Sequence, residues 1–260
     1  MSLDHATANV KRQSATGDAF LGGRLTIAQP QKGFRAGLDS VLLGAAVSPG
    51  STGLLDLGAG VGTAGMVALA TNPGLHAALV EFDLEMLVHL RSNIAANGLA
   101  AQARAIELDL TLPAGARTAA GLEPDHYTSV IANPPFYEQG QGSAPSKARA
   151  AARHMPAKAL DLWVKTAASH AAPGGEIIFI HLAERLGPLL TAFEARFGAV
   201  TVLPLTPRPG GDAHRVLIRA IKGSRAPLTL LASRPLHLPE GRAFQPDFEV
   251  IFRGEDRLHW

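Results

Sequence analysis

Asn133-Pro134-Pro135-Phe136 is the stretch whose residue types come closest to doing chemistry. Two successive prolines fix backbone dihedrals and remove two amide donors. They leave carbonyls aimed at one place with no competing N–H. A planar amine carries two N–H groups and a lone pair delocalised into its ring. Two acceptors, the Asn133 side chain and the Pro134 carbonyl, can hold both hydrogens and turn that lone pair toward an electrophile. Phe136 adds a ring on which an extruded base can stack, worth about 1–3 kcal/mol per base. The plain structural alternative for the same residues is an X-Pro-Pro turn leaving a strand.

A second constellation is LLDLGAGVGTAG, residues 54–65. It reads as a strand, a tight glycine turn and a helix start. Gly58 and Gly60 let the backbone come close to a ligand without interference from a Cβ. Such a turn at a strand end serves NAD or S-adenosylmethionine. A dinucleotide fingerprint needs its third glycine at position 63, where Thr63 stands; the actual pattern is Gly58-x-Gly60-x-Gly62. Asp56 lies two residues ahead of the first glycine. This combination resembles the first motif of class I methyltransferases, which use S-adenosylmethionine. The resemblance implies roles for the acids at the next two strand ends: Glu81 on the ribose hydroxyls and Asp109 on the adenine amino group. Phe82, beside Glu81, is placed to pack on the adenine face. With the methyl already activated on a sulfonium, positioning for in-line displacement supplies much of the catalysis. No dedicated general base is nominated.

The elements that must hold these residues alternate along the chain. Strand candidates are 53–58, 76–82, 103–108, 127–133, 176–182, 199–205 and 215–222, with helices at 61–72, 84–99, 157–171 and from about 183 to 197. Asn97-Gly98 and Pro173-Gly174-Gly175 are read as helix stops. Residues 206–214, rich in proline and glycine, are too few for a crossover helix and suit an antiparallel hairpin. The expected fold is α/β, a Rossmann-like class I methyltransferase fold with a mostly parallel seven-stranded sheet ending in that hairpin. Residues 1–50 form an N-terminal cap segment, 51–222 the cofactor-binding domain, and 223–260 a tail packed on the core with a short helix near 246–253.

The 260 residues contain no cysteine, which excludes disulfides, thiolate metal sites and a cysteine nucleophile. The ten histidines show no metal-ligand spacing, so no metal is expected. No apolar run approaches the roughly 20 residues of a transmembrane helix, and the first residues lack the apolar stretch of a signal peptide. A soluble cytoplasmic protein is expected, with no membrane partner. The net charge of +2 hides a pattern. Residues 51–140 hold 9 acidic and 3 basic side chains, while 141–165 hold 5 basic and 1 acidic. The acidic block carries the cofactor motifs, and the basic block begins just after the base pocket. Lys147, Arg149, Arg153 and His154, with Lys158 beyond, suit phosphate contacts flanking an extruded nucleotide. A solvated charged loop is the bland alternative.

The opening stretch 18–47 narrows the substrate. Gly22-Gly23-Arg24-Leu25, Gln29-Pro30, Arg35-Ala36-Gly37-Leu38-Asp39 and Val41-Leu42-Leu43 resemble the start of the bacterial tRNA adenine-N6 methyltransferases that modify the anticodon loop of a valine tRNA. The likeness continues through Asn133–Phe136, Ala152-Arg153-His154 and Phe252-Arg253-Gly254-Glu255. It implies a cap helix over the cofactor, with Asp39 as a further cofactor contact. Arg35 and Asp39, four apart on one helix face, also read as a surface ion pair. The function implied is methyl transfer from S-adenosylmethionine to an adenine N6 in tRNA. A ribosomal RNA guanine-N2 enzyme is the nearest rival, followed by DNA adenine-N6 and protein glutamine methyltransferases. A nicotinamide-dependent oxidoreductase fits poorly because of Thr63 and Asn133–Phe136.

Overall fold

A computed structural model describes residues 15–31, 35–135 and 157–260. The chain opens with an antiparallel hairpin, β1 (Ala15–Phe20) and β2 (Leu25–Pro30). Helix α1 (Leu38–Ala45) follows. Then strands and helices alternate: β3 (Gly53–Leu57), α2 (Thr63–Thr71), β4 (His76–Glu81), α3 (Leu84–Ala96), β5 (Ala103–Glu107), α4 (Ala114–Ala119), β6 (Tyr127–Ala132), α5 (Ala157–His170), β7 (Ala171–Leu182) and α6 (Leu186–Glu194). The hairpin β8 (Gly198–Thr206) and β9 (Arg215–Ile221) completes the main sheet. Two-residue strands β10 (Thr229–Leu230) and β11 (Arg234–Pro235) and helix α7 (Pro246–Arg253) form the tail.

The strand order is β10-β8-β9-β7-β6-β3-β4-β5, with β11 also on β8. Strands β7, β6, β3, β4 and β5 are parallel, and β9 is antiparallel to both β7 and β8. This is the Rossmann-like α/β sheet expected from the alternation, its seven strands extended to nine by β10 and β11. The chain runs from β3 outward to β4 and β5, then returns to place β6 on the other side of β3. The crevice at the carboxyl ends of β3 and β6 is therefore the topological switch point, where open α/β sheets take ligands.

Both faces of the sheet are covered, so its strands are nearly continuous apolar runs. Leu54 and Ile131 point to the layer of α1, α2 and α3, while Leu55 and Val130 point to that of α5 and α6. Helix α1 approaches α2 closely because Gly44 lacks a side chain; a Cβ there would stand 2.3 Å from the Ala64 carbonyl oxygen. The tail closes on α1: the Leu258 N–H donates to Ala45 O at 2.9 Å and the Trp260 indole N–H to Ala46 O at 3.1 Å.

Helix α4 and the β1–β2 hairpin are absent from the sequence reading, and of the boundaries that differ from it, two bear on the sheet and the site. Pro173-Gly174-Gly175 does not separate a helix from a strand. It is a bulge inside β7, whose pairing with β6 shifts between Tyr127 and Ser129. Gly175 is required there, because a Cβ would press within 2.9 Å of the Ala172 and Tyr127 carbonyl oxygens. Strand β5 ends at Glu107, so Asp109 lies two residues beyond it. Among the described residues, no helix is long and apolar enough to cross a membrane.

Candidate active site

The glycine turn 58–62 and the residue after β6 meet at the switch point. The cleft between them is lined by Ala36 and Ser40 from the α1 side, Asp56, Gly58, Gly60 and Val61 from β3 and its turn, Met86 from α3, and Asn133. The turn is tied across to β4 by the Ala59 N–H, which donates to Val80 O at 2.8 Å.

Glu81, the last residue of β4, is the organising acid. Its Oε2 accepts from the Gly60 N–H, and its Oε1 accepts from the Phe82 and Asp83 N–H groups, each at 2.8 Å. The side chain is 6% exposed. Burial pushes its carboxyl above the usual range, against the opposing pull of those three amides. Asp83 then caps α3, its Oδ1 accepting from Glu85 N–H and Met86 N–H at 2.8 and 3.1 Å. One short run, Glu81 to Asp83, thus fixes both the glycine turn and the helix that carries Met86.

Asp56 is 2% exposed, and its Oδ2 accepts from the Gly65 N–H at 3.0 Å in the first turn of α2. Burial pushes its carboxyl up to about 7; the Gly65 amide opposes this and the charge of Glu81 adds to it. Both carboxyls are thus raised by burial, Asp56 in the cleft lining and Glu81 bonded to its turn, a frequent mark of functional sites.

The two glycines of the turn differ in role. Gly60 has φ of +58° and nothing within 4 Å of where a Cβ would stand, so it leaves the cleft open. Gly58 has φ of +67°, and a Cβ there would lie 2.4 Å from the Trp163 ring. Trp163 of α5 backs the turn, a contact absent from the sequence reading. Nothing in the sequence marks it beyond its being one of two tryptophans.

Asn133 follows the last residue of β6. Its Oδ1 is buried and has no hydrogen-bond partner among the described residues. An amide oxygen stripped of water and left unpaired is costly unless a ligand supplies the missing donor. Pro134 is buried beside it.

The other expected site residues fall differently. Phe82, next to Glu81, is 61% exposed. Asp109 is exposed, and its Oδ1 accepts from Thr111 N–H at 2.8 Å. The expected ion pair of Arg35 with Asp39 does not form. Arg35 precedes the helix rather than lying in it, and it pairs with Asp18 of β1. Asp39 instead accepts from Arg215 Nε at 2.8 Å, joining α1 to the start of β9. Phe136, Lys147, Arg149, Arg153 and His154 lie outside the described residues. Lys158 falls in the first turn of α5.

A model of the methyltransferase small domain matches residues 38–207. The chain belongs to this methyltransferase family. Among its relatives is the tRNA1(Val) (adenine(37)-N6)-methyltransferase of Tolumonas auensis, 29% identical over 166 residues, which are 63% of this chain and 66% of the relative. The enzyme of the same name from Klebsiella pneumoniae is 31% identical over 132 residues, 50% of this chain and 51% of that one. The chain thus spans just under two thirds of the first relative's length and about half of the second's. A solved structure from Agrobacterium tumefaciens, described as a predicted O-methyltransferase, shares 32% identity and a TM-score of 0.71, covering 85% of this chain and 98% of its own chain.

Proposed function

We propose that this protein transfers a methyl group from S-adenosylmethionine to the exocyclic N6 amine of an adenine in tRNA, and that it works in the cytoplasm. The observation that carries the reading is the buried Oδ1 of Asn133, unpartnered among the described residues, in the lining of a cleft that also holds the buried Asp56 and whose turn is bonded to the buried Glu81. S-adenosylmethionine supplies an electrophilic methyl on a cationic sulfonium. The residues fit that group. Asp56 and Glu81 give the cleft negative charge, Gly60 leaves room for close approach, and the free lone-pair capacity of Glu81 suits the ribose hydroxyls. Phe82 stands at the mouth to pack on the adenine.

On the acceptor side, Asn133 Oδ1 takes one amine hydrogen and the Pro134 carbonyl the other. That holds the nitrogen lone pair out of conjugation and aimed into the cleft. Phe136 stacks on the base. The basic residues Lys147, Arg149, Arg153 and His154 contact flanking phosphates. The two adenine-N6 relatives support adenine over the guanine of ribosomal RNA.

The test is nucleoside mass spectrometry of RNA from a deletion strain, followed by in vitro methylation of the affected RNA. Loss of N6-methyladenosine from one tRNA, restored by the purified protein, is the expected result. Loss of N2-methylguanosine from ribosomal RNA instead assigns the runner-up. Oxygen methylation, in line with the description of the Agrobacterium protein, overturns the amine reading.

A further inference from the structure

The hairpin β1–β2 stands outside the main sheet, yet two buried amides tie it to opposite walls of the cleft. Asn93 of α3 is 1% exposed. Its Oδ1 accepts from the Ala28 N–H at 2.8 Å, and its Nδ2 donates to Ala28 O and to Val61 O, both at 3.0 Å. One turn later, Asn97 treats Thr26 in the same way, accepting from its N–H and donating to its carbonyl at 2.9 Å each. The two side chains read alternate residues of β2 as a neighbouring strand would, which satisfies the edge that β1 does not cover. Asn93 alone continues to Val61, in the glycine turn, whereas the further donor bond of Asn97 goes to Asn93 O at 2.8 Å, at the C-terminal end of α3. On the other side, Gln29 of β2 is 1% exposed. Its Oε1 accepts from the Ala36 N–H at 2.7 Å, and its Nε2 donates to Asp18 at 2.7 Å. Asp18 in turn pairs with Arg35. Val61 and Ala36 both line the cleft.

We infer that the β1–β2 hairpin is a positioning element of the cofactor cleft, acting through Asn93 on the glycine turn and through Gln29 on the Ala36 wall. The inference rests on the reading of that cleft as the S-adenosylmethionine site. Loss of Asn93 leaves the buried Val61 carbonyl unpaired and loss of Gln29 the half-buried Ala36 N–H, so the wall relaxes and the cofactor must re-form it on binding. Asn97 is the internal control. It holds the same strand with the same kind of bonds but has no contact with the cleft.

The experiment measures S-adenosylmethionine affinity by calorimetry on the full chain, together with thermal melts and hydrogen exchange at the Gly62 amide. Asn93→Ala and Gln29→Ala are expected to weaken affinity about ten-fold each. Asn93→Ala also speeds exchange at Gly62, whose N–H donates to Ala59 O in the turn. Asn97→Ala lowers the melting temperature and leaves affinity within about two-fold of wild type, less than one hydrogen bond is worth. Equal weakening by Asn97→Ala, or wild-type affinity in both Asn93→Ala and Gln29→Ala, overturns the inference. Should Asn93→Ala fail to fold, Gln29→Ala decides alone: a ten-fold loss supports the inference and unchanged affinity overturns it. Wild-type protein that binds no S-adenosylmethionine overturns the cofactor reading, and this inference with it.

Discussion

The Gly60 amide donates to Glu81 Oε2 at 2.8 Å, so the turn that ends β3 and the acid that ends β4 form one hydrogen-bonded unit. Glu81→Gln sets an amide N–H₂ against either the Gly60 N–H or the Phe82 and Asp83 N–H groups. Donor then faces donor in a buried place. S-adenosylmethionine affinity is expected to drop by about 10–100-fold, since bonds to charged acceptors are the stronger ones. Titration calorimetry on the folded variant reads this directly.

Asn133→Ala removes this oxygen without touching the acids proposed to hold the cofactor. Turnover should fall by about 100-fold or more, as when a single positioned group at a reacting centre is deleted. Cofactor affinity should stay close to wild type. Wild-type turnover in this variant would remove Asn133 from the chemistry.

The raised carboxyl of Asp56 predicts a specific pH dependence. Its folded value near 7 exceeds the ordinary 3.8 of an aspartate in the unfolded chain, so the folded state holds the proton more tightly. The Asp56 contribution to stability is full below about 4 and is lost as pH rises through 7. Denaturant melts of wild type and Asp56→Asn across pH 4–8 should converge on the acid side, relative to their separation at pH 8, with the variant the less pH-sensitive. Affinity for the cationic cofactor should rise in wild type from pH 6 to 8, as Asp56 ionises, and flatten in Asp56→Asn.

Gly58 and Gly60 are expected to respond differently to the same change. Gly58→Ala meets Trp163 and adds left-handed strain of about 1–2 kcal/mol, so it should destabilise the fold by more than strain alone. Trp163→Ala in the same chain should recover part of that loss. Gly60→Ala has open space and costs only strain, but its methyl enters the cleft and should weaken cofactor binding. Melts and calorimetry on the three variants separate the two effects.

Charge reversal at Lys147, Arg149 and Arg153 should weaken RNA binding and flatten its salt dependence. Three phosphate contacts on a single-stranded loop correspond to a slope of about 2 in log K against log salt. An unchanged slope in filter-binding assays would dissociate these residues from the RNA.

Much of the site was legible from local chemistry. Glycine-rich turns at strand ends, acids two residues before or at the next strand end, and Asn-Pro-Pro after a strand are short-range patterns. Asp56, Gly58, Gly60, Glu81 and Asn133 accordingly meet in one cleft. The partners of Asp39 and Arg35 were not legible in this way. Four-residue spacing implied a pair, but Arg35 lies before α1 begins, and the true partner of Asp39 is 176 residues away. Pro173-Gly174-Gly175 has the composition of a stop and the structure of a bulge, because β6 pairs with the chain on both sides of it, at Ala171 and again from Glu176, while Gly174 takes up the extra length at φ of +76°.

The amino-acid sequence by itself determined the order of strands and helices, the turn chemistry and the acidic and basic blocks, since these depend on neighbours within a few residues. Tertiary structure alone decided which remote groups close the cleft: Trp163 behind Gly58, Arg215 on Asp39, and Asn93 joining Ala28 to Val61. Those contacts depend on how layers pack across the sheet. A buried amide or an indole finds its partner there by burial and geometry, and neither leaves a periodic trace in the chain.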